Sequence, residues 1–167
     1  MSHVTRYELR TVAVFQDLPD EQLDWFLEHA TELVLAPGES YIRAGNAADR
    51  MFVVLDGELQ VQFEGANENV FTISAGSVTG LLPYSRMTVF PGTGRALQTS
   101  RILTFPATRF EELLSRMPLL GRRLVGIMVD RTREVTRGGC ERTDSACFWR
   151  LERSVSARWV NRRHANR

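Results

Sequence analysis

The chain has 167 residues, 43% apolar and 25% charged, the balance of an ordinary globular protein long enough to bury roughly two-thirds of its unfolded surface without disulfide or metal. A net charge of +1 argues against a nucleic-acid or other polyanion partner, and all 21 basic residues are arginine, which excludes Schiff-base and P-loop lysine chemistry. No stretch reaches the ~20 apolar residues of a membrane span, and residues 1–10 are too polar for a secretory leader, so a cytoplasmic location is expected.

Charge divides the chain unevenly. Residues 1–137 hold 14 arginines and 17 acids, a net charge of −3, whereas residues 138–167 hold 7 arginines and 3 acids, a net charge of +4. The second stretch opens on Gly138-Gly139 and carries Cys140, Cys147, Trp149 and Trp159. Its cysteines match no metal or redox spacing and read as reduced bystanders. With little apolar period, residues 138–167 read as a basic, disordered tail.

Leu9, Val12, Ala13 and Phe15 lie on one helical face, and Leu23, Phe26, Leu27 and Ala30 on another. Between them Asp17-Leu18-Pro19-Asp20 supplies a helix start. Residues 1–30 are therefore two short helices. From Thr31 the period shortens. Leu33 and Leu35 lead into a Pro37-Gly38 turn, Tyr41 and Ile42 into an Ala44-Gly45-Asn46 turn, and the apolar run Met51 to Leu55 into Asp56-Gly57. Asp-Gly is a two-residue hairpin signal, which pairs that run with the alternating strand Leu59, Val61, Phe63. A turn over residues 65–69 returns to Val70 through Ile73, Gly76 and Gly80 bracket a loop, and Arg101 to Phe105 is the last strand. Short strands punctuated by glycine over residues 31–106 indicate an antiparallel barrel or sandwich. Residues 107–137 are helical, with one helix opening at Pro106 and a longer one over residues 118–136. In the longer helix Leu120, Leu124, Ile127, Arg131 and Glu134 fall at coiled-coil spacing. That seam either packs on the barrel or forms a dimer contact or lever arm.

The string Pro37-Gly38-Glu39, Ile42, Gly45, Asp49, Met51-Phe52, Val54, Gly57, Val61, Gly76, Gly80 resembles the cyclic-nucleotide-binding domain family over about residues 10–135. The resemblance implies a mainly β fold, a double-stranded β-helix (jelly-roll) barrel with helices before and after, and cAMP or cGMP as ligand. In that family a cassette Gly-Glu-x-Ala-Leu binds the ribose hydroxyl through its glutamate, and an arginine about ten residues after the glycine pairs with the cyclic phosphate. Here Leu81 and Phe90 stand at those two positions. The cassette candidates are therefore Gly80, Leu81, Leu82 and Arg86, with Thr93, Gly94, Arg95 and Ala96 downstream. Gly92-Thr93-Gly94 is a candidate anion nest beside Arg95. The bland alternative makes Arg86 and Arg95 solvated loop residues.

Two further stretches, Gly80-Leu81-Leu82-Pro83-Tyr84-Ser85-Arg86-Met87 and Arg116 through Glu134, resemble sensory domains placed ahead of bacterial histidine kinases. This implies a regulatory input domain, a homodimer through the C-terminal helix, and an output kinase absent from this chain. Residues 138–167 resemble no continuation of such a kinase, and their composition leads to the expectation that the reading frame is interrupted there. His3, His29 and His164 have no phospho-acceptor setting, and no catalytic constellation stands out, so no enzyme activity is expected. The competing reading is a degenerate, nucleotide-free β-roll acting as a dimerisation or protein-interaction module.

Overall fold

A computed structural model of the chain describes residues 4–63 and 70–137, with side chains to Asp130. The expected turn over residues 65–69, both cysteines, His3, His164, the tail and the side chains of Arg131 and Glu134 lie outside the described residues. Two sheets form the body. The first runs in the order β1 (Thr31–Leu35), β8 (Ser100–Pro106), β3 (Arg50–Asp56), β6 (Val78–Gly80). The second runs β2 (Ser40–Ile42), β7 (Gly92–Ala96), β4 (Glu58–Phe63), β5 (Val70–Ser74), and every pairing in both is antiparallel. The fold is the expected mainly β roll with flanking helices, but the sheets face each other without closing into a barrel.

Alternation in β3 creates two cores. Phe52 and Val54 point between the sheets with Leu59, Val61, Phe63, Phe71 and Ile102. Met51 and Val53 point to the other face of the first sheet, where the helices pack. Both faces of β3 are thus covered, which explains its unbroken apolar run.

Three expectations for the strands need correction. Asp56-Gly57 is not a hairpin turn. The type I′ turn needs positive φ at both central residues, yet only Gly57 has it, at 90°. The chain instead steps there from the first sheet into the second. A Cβ on Gly57 would lie 2.3 Å from Ser100 Oγ, so the corner needs glycine for space as well as for φ. Between Gly76 and Gly80 lies strand β6 rather than a loop. Gly92-Thr93-Gly94 belongs to strand β7, whose backbone is committed to ladders with β2 and β4.

The helices form one cap. α1 (Arg6–Arg10), a 3-10 turn (Ala13–Phe15) and α2 (Asp20–His29) precede the sheets, and α3 (Phe110–Arg116) and α4 (Pro118–Arg137) follow them. Leu9, Phe15, Leu23 and Phe26 pack with Leu113, Met117, Leu120 and Leu124 over Met51, Leu103 and Phe105. Leu120 and Leu124 are fully buried in this core. The apolar seam of α4 therefore serves the chain's own interior. Arg123 clasps the same junction, donating to the carbonyls of Val14 (2.8 Å) and Gln16.

The N-terminal segment is held to the sheet by charge. Arg101 on β8 donates to Glu8 (2.7 Å) and to Glu32 (2.8 Å). Glu8 also accepts from the Thr5 amide in a capping box. The Thr5 amide and then Arg101 hold the Glu8 carboxyl down to about 2, from an ordinary 4.5. A lowered folded pKa stabilises above the unfolded value and loses that contribution as pH falls through the folded one. Glu8 is about one-third exposed, so screening limits its contribution to about 1 kcal/mol. Glu8→Gln should lower the melting temperature by about 3 °C at pH 7. That difference should shrink between pH 4.5 and 2, as followed by circular dichroism; a difference independent of pH would show that Glu8 acts only by packing.

Candidate functional site

The segment expected to hold a ligand runs from the end of β6 to the start of β7. Gly80 turns the chain at φ 77°, where a Cβ would meet Phe52 Cδ2 at 2.5 Å and Arg50 O at 2.8 Å. Leu81 N donates to Arg50 O (3.0 Å). Leu82, 1% exposed, then turns into the helical core. A turn closed by Ser85 N to Leu82 O (3.0 Å) lifts Tyr84 outward at φ 67°, a conformation that costs a bulky residue on the order of 1 kcal/mol or more. The chain then runs beside residues 45–48. Ala48 N donates to Thr88 O (3.0 Å), Phe90 N to Asn46 O (2.8 Å) and Gly45 N to Phe90 O (2.9 Å), with Ala47 and Val89 bridged. These bonds pair the Thr88 carbonyl and both backbone polar groups of Phe90 and so fix the direction of Phe90.

That direction is inward. Phe90, 4% exposed, belongs to the core between the sheets, its ring 6.1 Å from that of Phe52. Met87 packs against the same cluster, and Tyr41 meets Phe52 edge-on at 5.1 Å. Opposite them Gly94 gives room: a Cβ there would lie 2.5 Å from Tyr41 Cε1. Aromatic side chains thus occupy the position that the resemblance assigns to the phosphate arginine.

The eight cassette candidates are not gathered around one space. Leu82 faces the helical core, while Gly94 and Ala96 lie on the inner face of the second sheet. Thr93 and Arg95 alternate to its outer face, where Arg95 stands opposite Gln60. Arg86 is exposed in the loop. The nest expected at Gly92-Thr93-Gly94 is absent because Gly92 and Gly94 are buried sheet residues. Nothing in the sequence separated this strand from a turn except its small-x-small-x-small pattern at period two.

One polar group was not anticipated. Thr79 is fully buried on β6, and its Oγ1 has no hydrogen-bond partner. It stands across from Phe52 in the ladder, so it shares the face turned between the sheets. On the outside of the molecule, a groove of about 600 Å³ separates Tyr84 from the solvent-facing side of α4, with Pro118, Val125 and Val129 along it. Among the described residues no helix is long and apolar enough to cross a membrane, and no group of acids, histidines and cysteines is placed to hold a metal.

Residues 32–117 match the family model described as the cyclic nucleotide-binding domain. No curated protein matches the sequence. Among solved structures, the catabolite activator protein of Thermus thermophilus is similar at a TM-score of 0.65 and 17% identity, over 75% of this chain and 60% of that one. The sensor domain of the transcriptional regulator DNR from Pseudomonas aeruginosa is similar at 0.65 and 17%, over 84% and 95%. The regulatory subunit of a cAMP-independent protein kinase A from Trypanosoma brucei is similar at 0.60 and 18%, over 70% and 43%. At these identities the likeness concerns the fold, and the chain spans 60% of the length of the catabolite activator protein.

Proposed function

Because the chain belongs to the cyclic nucleotide-binding domain family, we propose that it is a non-enzymatic regulatory module whose interior is filled by its own side chains and which acts through protein contact. Phe90 carries this reading. The cassette position expected to pair with a cyclic phosphate holds a buried phenyl ring, and the position expected to bind the ribose hydroxyl holds Leu81. A phosphate entering there would lose its hydration and gain no cation, a cost of several kcal/mol. The residues present do not fit a cyclic nucleotide. The output element is α4, which is continuous with the helical core through Leu120 and Leu124. A downstream histidine kinase is the output this reading favours.

A second reading keeps the chain as a nucleotide sensor, on the ground that the buried Thr79 hydroxyl lacks a partner a ligand would supply. Isothermal titration calorimetry separates the two. With cAMP and cGMP up to about 1 mM, where binding of −4 kcal/mol is detectable, no saturable heat is expected. A micromolar Kd for either would overturn the nucleotide-free reading, and Arg86→Ala and Arg95→Ala would then be the variants to test.

A further inference from the structure

The groove on the outer side of α4 is apolar along its length and charged towards its ends. Tyr84, held at a φ of 67° and 76% exposed, forms one wall. Val125 and Val129 line the other and belong to neither core. Arg122 and Asp130 also line it, both exposed, and about 12 Å apart along the helix. Neither makes an ion pair among the described residues. Residues 138–167 follow directly on this helix and lie outside the described residues. Their sequence suits the groove in reach, apolar content and charge order. Gly138-Gly139 permits a reversal of direction. From Val125 to Arg137 the helix rises about 18 Å, whereas the stretch from Arg137 to Phe148 can span up to about 36 Å. The run Cys147-Phe148-Trp149-Arg150-Leu151-Glu152 then brings three large apolar side chains. A chain returning along α4 passes Asp130 before Arg122, and this run offers Arg150 before Glu152.

We propose that residues 147–152 dock in this groove as an intramolecular strap, tying α4 to the loop between β6 and β7. Charge favours this occupant: residues 1–137 carry −3 and residues 138–167 carry +4, so the two parts of the chain attract. Tethering favours it further. A segment on so short a linker has an effective concentration in the millimolar range, so a small groove with weak intrinsic affinity still fills. The strap would bury Val125, Val129 and the Tyr84 ring, and would give Asp130 and Arg122 the partners they lack. It rests on the reading of α4 as the output element and adds a control to it. The outer side of the helix is covered while Leu120 and Leu124 stay in the core, so the lever is held in place without being repacked. An output partner that needs this side must first displace the strap. Residues 147–152 then have a binding role, in contrast to the unselected end that the composition of residues 138–167 suggests.

The chain's two cysteines, Cys140 and Cys147, report docking without an added probe, one before the strap and one at its start. The full chain is pulsed with N-ethylmaleimide, without nucleotide or partner, so this test and that of the proposed function fail separately. Mass spectrometry follows each thiol, and each rate is divided by its rate in urea. With an effective concentration about ten times its Kd, the strap slows Cys147 about tenfold relative to Cys140. That protection should be the same from about 1 to 100 μM protein. Asp130→Arg and Tyr84→Ala, both at exposed positions and checked for fold by circular dichroism, should each speed Cys147 by about fivefold and leave Cys140 unchanged. The double reversal D130R/R150D should return Cys147 to within about twofold of wild type. Equal normalised rates for the two thiols in the wild type would overturn the proposal. Protection that grows with protein concentration would also overturn it, since the segment would then dock on a second copy. So would protection that survives both groove variants, which would place the segment elsewhere on the molecule.

Discussion

Phe90→Ala is expected to lower stability by about 3–5 kcal/mol, the range for removing a buried phenyl ring from a packed core. A urea titration at pH 7 would read it as a shift of the midpoint with an unchanged slope. The magnitude follows from the ring's place between the sheets, against Phe52 and 4% exposed, and from the three backbone bonds that prevent residues 88–90 from collapsing into the space. A loss below about 1 kcal/mol would mean that the ring lies on the surface, and the nucleotide-free reading would lose its support. The variant should also leave an apolar hole that stays dry and accepts a small hydrocarbon. Benzene or indole should then raise the melting temperature of Phe90→Ala and leave that of the wild type unchanged.

Gly57→Ala is the other large effect, expected to cost about 3 kcal/mol or more. Two penalties combine there. A φ of 90° strains any side chain by on the order of 1–2 kcal/mol. In addition, the new Cβ would fall 2.3 Å from Ser100 Oγ and 2.6 Å from its Cα, so the backbone of β8 must move. Ser100 cannot yield freely, because its hydroxyl accepts from Glu58 N (3.2 Å) and donates to Gln98 O (2.8 Å). Gly76→Ala provides the control: φ is 85° but the surrounding space is open, so only the strain of about 1–2 kcal/mol should appear. Equal losses in the two variants, measured by chemical denaturation, would remove the steric part of this account.

The fold was legible wherever a local signal coincided with the tertiary one. Met51 through Val54 read as a strand because both of its faces are buried, and Pro19-Asp20 read as a helix start because the N-terminus of α2 lies there. The family followed from glycines at Gly38, Gly45, Gly57, Gly76 and Gly80, each of which has positive φ. The errors arose where one residue type serves two purposes. Asp56-Gly57 carries a hairpin signal, yet its glycine makes a corner between sheets. Gly92 and Gly94 look like turn residues, yet they are glycines because Gln62 O and the Tyr41 ring stand where their Cβ atoms would be. The α4 seam has coiled-coil spacing, and sequence alone did not show that Leu9, Phe15 and Phe26 already occupy the other side of it. At the site, the replacement of a charged cassette was visible as Leu81 and Phe90. The inward direction of Phe90 depends on pairing with residues 45–48, some forty positions away, and no local pattern encodes it.

The cap over the first sheet is built from the two ends of the described chain: residues before Thr31 supply Leu9, Phe15 and Phe26, and residues after Ala107 supply Leu113, Leu120 and Leu124. During synthesis the early helices therefore leave the ribosome with no surface to bury against. They must wait about a hundred residues for β8 and α4 to emerge. Contacts of such long sequence separation slow folding, and the waiting helices expose apolar side chains to any chaperone within reach. The β4–β5 pairing joins strands that are close in sequence, whereas the cap cannot be complete until Leu124 has been made.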